Sequence, residues 1–345
     1  MEREVLQVGL EAAIKIALFL FVMLTTVAYM TWVERRVSAW IQDRRGPNRV
    51  GPFGLLQPLA DGVKFLFKET IVPPFVYKPV YVLAPALIFV PALVTFSVVP
   101  FGPTLHAFGR DIRLQIADVD NGILIVLAFA SMGVYGVALA GWSSNNKYSL
   151  MGGLRSSAQL ISYELAMGVA VIGVLMATGS LRLGDVVAHQ EAYGWNVLWQ
   201  LPGFLIFLVA AFAETNRLPF DLPEADSELV AGYHTEYSGM WFSMFYMAEY
   251  ANMITASALI VTLYFGGYNV PGLRLLGLPE PVAVATQVIA FGLKVAFFLF
   301  LYVWVRWTIP RFRYDQLMNL GWKVLLPIGL GHVLWVSFLV LRGWA

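Results

Sequence analysis

The chain has 345 residues, 59% of them hydrophobic and 13% charged, with a formal net charge of +1 and a mean hydropathy of +0.69. So much apolar surface exceeds what one water-soluble core can bury, which places the chain in a bilayer, and the near-neutral balance gives no reason to expect a nucleic-acid partner. It has no cysteine, which excludes disulfides, thiolate-held iron–sulfur clusters and covalently attached c-type haem.

Crossing about 30 Å of hydrocarbon takes about 20 mostly apolar residues per helix. Eight such runs are present, at 10–33, 80–101, 123–142, 158–178, 197–213, 241–264, 282–305 and 324–341. The fold expected is therefore all-α: a polytopic membrane protein, a single integral domain over 1–345, with long loops at 34–79 and 214–239. The first run is too long, and too acidic at its start (Glu2, Glu4, Glu11), to be a cleaved signal peptide. Loops one, three, five and seven carry 15 Lys and Arg against 7 on the other side, so these loops face the cytoplasm or matrix and both termini lie outside.

The first loop reads ERRVSAWIQDRRGPNRVGPFGLLQPLADGVKFLFKE. Its centre, RRGPNRVGP, must turn. After it, Leu55, Leu56, Leu59, Val63, Leu66 and Phe67 recur at helical spacing, with Asp61, Lys64 and Lys68 mostly off that stripe, which suits a helix lying in the membrane interface. Five arginines precede this helix within 15 residues. Part of that charge suits anionic headgroups, and its fixed Gly-Pro turn suits a docking surface for another protein.

Three ionisable residues lie well inside the runs: Glu164, Glu249 and Lys294. Each costs about 2.5 to 3.5 kcal/mol at a helix centre, so each should face protein or water rather than lipid. One reading pairs Lys294 with Glu164 or Glu249 to fix helix packing, which leaves one carboxylate without a partner. A carboxyl kept out of water favours its neutral form and can exchange protons near physiological pH. Glu214 extends the set to the membrane boundary. The stretch FAETNRLPFDLPEADSELVAGYHTEY then adds Asp221, Glu224, Asp226, Glu228 and Glu236, with Arg217 its one strong cation. Asp221 and Glu224 have capping-box spacing, while Glu224 and Glu228 share a helical face, where like charges repel and titrate together. The four histidines are scattered, with only His332 inside a run, which argues against a metal or haem site. No Gly-rich phosphate or dinucleotide fingerprint follows a strand-like run.

The first loop, GWSSNNKYSLMGGLRSSAQLISYE, the acidic stretch and RYDQLMNLGWK together resemble the H subunit of proton-pumping NADH:quinone oxidoreductase, respiratory complex I, which mitochondria carry as subunit 1. The likeness runs from about Glu34 to Lys323. It implies that the first, third and fifth cytoplasmic loops join the hydrophilic arm, and that the chain forms much of the passage by which quinone reaches the last iron–sulfur cluster. It further implies that Glu164, Glu214 and Glu249 form a chain of acids leading toward the adjacent membrane subunits. Glu224, Asp226, Glu228 and Glu236 would lie near the quinone passage, and Arg35, Arg44, Asp61 and Lys64 would line or support it. On this resemblance the chain binds no cofactor itself. Quinone is the substrate, FMN and iron–sulfur clusters sit in partner subunits, and the membrane is the bacterial or mitochondrial inner membrane. Two departures stand out: Gly133 occupies a place where some members carry glutamate, and Asp226 one where glutamate is common. Two other readings remain open at this level: the anchor subunit of a related membrane-bound hydrogenase or dehydrogenase, and a standalone ion or solute carrier.

Overall fold

The structure, a computed structural model, describes residues 2–107, 110–223 and 226–343. Within them most of the chain is helical. Helix α1 (Glu2–Ile41) runs for 40 residues, because no proline interrupts it. It therefore carries residues 34–41, the start of the first loop, as helix, and the chain turns only at Asp43 (φ 49°) ahead of Gly46 and Pro47. The interfacial helix is α2 (Gln57–Phe67), and the apolar stripe expected on it is exposed.

Next come α3 (Lys78–Phe96), an antiparallel hairpin of β1 (Thr104–Ala107) and β2 (Arg110–Arg113), α4 (Gly122–Ser143) and α5 (Lys147–Thr178). Asn146 caps α5, its side chain accepting from the Tyr148 amide at 2.9 Å, and Gly179 ends it in the left-handed conformation (φ 69°). A Cβ on Gly141 would lie 2.5 Å from the Ser149 carbonyl, so glycine lets α4 and α5 pack backbone against backbone.

The chain continues through α6 (Leu183–Tyr193), α7 (Leu201–Glu214), α8 (Asp226–Leu229), α9 (Gly239–Tyr264), α10 (Glu280–Thr308), α11 (Tyr314–Asn319) and α12 (Leu326–Leu341). A wide π turn at Leu320–Leu325 joins the last two. It precedes Pro327, whose ring would clash with the Lys323 carbonyl in a regular helix.

Seven helical runs among the described residues are long and apolar enough to cross a membrane, the last being Tyr314–Leu341. The fifth of the eight expected spans differs. It is the 14-residue α7, about 21 Å long at 1.5 Å per residue. Pro202 fixes its start, and residues Asn196–Leu198 form a separate 3₁₀ turn. That turn is held by buried side chains: Asn196 Nδ2 donates to the Leu263 carbonyl at 2.8 Å, and Gln190 Nε2 to the Thr262 carbonyl at 2.8 Å.

Those two bonds close the C-terminal end of α9, and Lys294 on α10 completes the closure. Its Nζ donates to the carbonyls of Phe265, Gly267 and Asn269 at 2.8, 3.0 and 2.8 Å and lies 4.8 Å from the centre of the Trp195 ring. Lys294 thus neutralises neither Glu164 nor Glu249; its charge meets carbonyls at and beyond a helix end, where the dipole favours a cation. Lys294→Met leaves three carbonyls without their donor and should cost about 1–3 kcal/mol of stability. Thermal denaturation of the detergent-solubilised protein should show the loss, with Lys294→Arg nearer the parent.

Candidate functional site

The site is built where α1, α2, α7, α9 and α10 meet. Glu34, near the C-terminal end of α1, is buried at 5% exposure and accepts hydrogen bonds from three directions. One nitrogen of Arg217 donates to both its oxygens at 3.1 Å, the Tyr250 hydroxyl of α9 donates at 2.6 Å, and Arg306 of α10 donates to Oε1. Arg217, just beyond α7 and 4% exposed, also lies over the Tyr250 ring at 4.4 Å and faces Glu249 of α9 at 3.9 Å. Two carboxylates and two guanidiniums thus share one buried centre, and their formal charges cancel when both acids are ionised.

Two cavities adjoin this centre. The larger, about 450 Å³, lies between α1, α2 and α9; Glu34, Arg35, Asp61 and Tyr250 form its polar side, while Phe65, Phe242 and Met247 stand among its apolar walls. A pocket of that size, mostly apolar with a few convergent polar groups, suits a flat organic ligand. Asp61 anchors α2 there, accepting from Arg35 at 2.7 Å and Gln57 at 3.1 Å, with Lys64 Nζ 3.6 Å away. Arg44 is not part of this wall: it is exposed and bonds Gln42 at 2.6 Å and Ser38 at 3.5 Å.

The smaller cavity, about 30 Å³, is lined by Glu214, Glu249, Asn216, Asn252, Tyr233 and Gly133, among others. It is large enough for one or two waters and has the polar partners to hold them. A second of about 30 Å³ continues from Glu214 and Thr215 toward Thr95 and Thr255. A Cβ on Gly133 would meet nothing within 4 Å, so the space beside it is open. Glu214 is half-buried and makes no hydrogen bond or ion pair with another described residue. Of the three acids expected to act together, Glu214 and Glu249 therefore share the smaller cavity, and Glu164, on α5, lines none of the three cavities.

The remaining acids that are described lie outside the smaller cavity. Glu224 lies outside the described residues, as does the side chain of Asp226. Glu228 pairs with Arg155 of α5 at 2.6 Å, and Glu236 accepts from Asn146 at 2.6 Å; neither lines the three cavities above. Asp221 binds Arg311 at 2.9 Å. Among the described residues this stretch carries the single helical turn α8 (Asp226–Leu229). Tyr81 and Tyr237 stack at 4.1 Å and make hydrogen bonds that pin this segment to α3: Tyr81 to the Glu236 carbonyl at 2.7 Å and Tyr237 to the Tyr81 carbonyl at 3.0 Å.

Sequence reasoning passes over Glu34, Tyr250 and Arg306 and gives Arg217 no role. A signal exists for the charged three, since each falls where an apolar run meets a loop on the same side and their signs are opposite. Arg217→Met leaves buried carboxylates short of a cation and should cost about 3–5 kcal/mol. In a double-mutant cycle with Glu249→Gln on the assembled protein, the measured loss should shrink, since the second change removes one of the stranded charges.

Comparison with known proteins places this geometry in a lineage. The NADH dehydrogenase family matches residues 14–337. The H subunit of NADH-quinone oxidoreductase from Leptospira biflexa is 52% identical over 345 residues, covering 96% of each chain. An H subunit of the same enzyme from Koribacter versatilis is 51% identical, covering 96% of this chain and 97% of its own, and one from Cytophaga hutchinsonii is 48% identical over 94% and 95%. At that identity and coverage, the chain belongs to the family of NADH-quinone oxidoreductase H subunits, which are membrane components of respiratory complex I.

Proposed function

We propose that this protein receives the quinone headgroup in the cavity between α1, α2 and α9 and converts its reduction into proton movement through Glu249, Glu214 and Glu164. The carrying observation is that Glu34 and Tyr250 line this cavity while Glu34 binds Arg217, which in turn faces Glu249. One buried guanidinium therefore stands between the ligand space and the acid chain.

Reduction of a quinone takes two electrons and, to reach the quinol, two protons. The cysteine-free chain supplies no thiolate for an iron–sulfur cluster, so the electrons arrive from FMN and iron–sulfur clusters in partner subunits of the hydrophilic arm. Negative charge formed on the headgroup draws on the nearby cations, Arg35 at the cavity and Arg217 and Arg306 at the centre. At an effective dielectric near 20, a unit charge about 4 Å away is worth about 4 kcal/mol. A shift of Arg217 toward Glu34 would weaken its hold on Glu249 by part of that amount, and Glu249 would take a proton through water shared with Glu214. Glu164 carries the change toward neighbouring membrane subunits. Catalysis belongs to the complex, not to this chain alone.

The relatives' names favour a nicotinamide donor over hydrogen. The protein sits in the bacterial inner membrane or its mitochondrial counterpart, with the basic loops inside and both termini on the opposite side, in accordance with the Lys and Arg distribution.

Two kinds of substitution divide the route. Glu164→Gln and Glu249→Gln should each abolish quinone-coupled pumping by the fully assembled complex in proteoliposomes, and normal pumping would refute their role. Gly133→Leu keeps every carboxylate but fills the shared water space, so proton translocation per electron should fall severely while assembly persists. Separately, Asp61→Asn should release Arg35 and raise the apparent KM for a short-chain quinone several-fold, measured as quinone-dependent NADH oxidation.

A further inference from the structure

A cleft larger than the one assigned above, about 600 Å³, lies between α1, α10, the end of α3 and the segment 112–116 that follows the β-hairpin turn. Its walls are almost entirely apolar, with Leu18, Val22 and Phe291 among them, and among the described residues its only charged lining groups are the cations Lys15 and Arg113. Lys15 lies 19 residues before Glu34 on the unbroken α1, about 28 Å along the axis. That length matches a hydrocarbon core of about 30 Å, so with Glu34 at one boundary of the membrane Lys15 sits at the other, at headgroup level.

We propose that this cleft is a binding site for an anionic phospholipid, with its phosphate between Lys15 and Arg113 and an acyl chain along α1 and α10. Lys15 bonds Glu11 at 2.7 Å and Arg113 bonds Asp118, which also takes two bonds from Arg182. Each cation keeps spare donors: an ammonium has three N–H groups and a guanidinium five. Apolar walls running from the membrane interior to a pair of cations at its surface complement an acyl chain ending in a phosphate, which a quinone's uncharged tail does not match. The proposal does not depend on the quinone assignment, since none of the residues named for that role lines this cleft.

The test uses the whole complex in phosphatidylcholine nanodiscs doped with photoactivatable phosphatidylglycerol, and crosslinked peptides are mapped by mass spectrometry. Crosslinks are expected on α1 around Leu18 and Val22, and they should be lost in the double variant Lys15→Gln/Arg113→Gln. They should also be lost in Gly292→Leu, whose side chain enters the cleft where a Cβ meets nothing within 4 Å and which leaves both cations in place. Quinone reductase activity in both variants should remain at the parent level, which reports intact assembly. Undiminished crosslinking in both variants overturns the proposal, as does equal labelling by photoactivatable phosphatidylcholine or protein–protein crosslinks that place another protein's helix in the cleft.

Discussion

Arg217 is buried beside the membrane core, and a guanidinium there is stable only if opposite charge is buried with it. Its two acidic partners come from opposite parts of the chain, Glu34 from α1 and Glu249 from α9, and Arg306 of α10 then offsets the excess negative charge. Because a buried ion pair lacking one member is far costlier than none at all, this single requirement fixes the relative heights of three helices and the end of α7. The larger cavity borders this centre at Glu34 and Tyr250, and a water-sized one borders it at Glu249.

The C-terminal end of α9 is held by the same logic. Its last carbonyls and those of the following loop are met by Gln190, Asn196 and Lys294, so the helix is anchored by charge near its middle, at Glu249 and Tyr250, and by donors at its Tyr264 end. Nearly the whole of α9 from Ala248 onward is buried. A helix held at these two places resists sliding, and the proposed route therefore relies on proton exchange and not on displacement of the helix.

The sequence is most informative where a pattern involves the residue's own side chain. Apolar runs disclose the spans, the stripe from Leu55 to Phe67 discloses α2, and Glu164 and Glu249 are conspicuous as acids where lipid would otherwise be. It is least informative where the partner is backbone. Nothing in FGLKVAF tells that Lys294 binds three carbonyls rather than a carboxylate, and nothing in the apolar run 197–213 tells that Asn196 and Pro202 shorten it to α7. Long-range charge pairing is equally hidden: Glu34 and Arg217 are separated by 183 positions, and only the fold brings them to 3.1 Å. The partners of Glu228 and Glu236, Arg155 and Asn146 of the α5 region, are likewise set by the fold and not by position in the sequence.

Whether the carboxyls around the small cavities change protonation when quinone is reduced decides the mechanism. Redox-induced infrared difference spectroscopy of the assembled complex reads this directly, through the carbonyl stretch of protonated carboxyls. The predicted result is a carboxyl band that appears on quinone reduction, disappears in Glu249→Gln and persists in Glu228→Gln. A spectrum with no such band, or one that Glu249→Gln leaves unchanged, would contradict the proposed link between the Arg217 centre and proton movement.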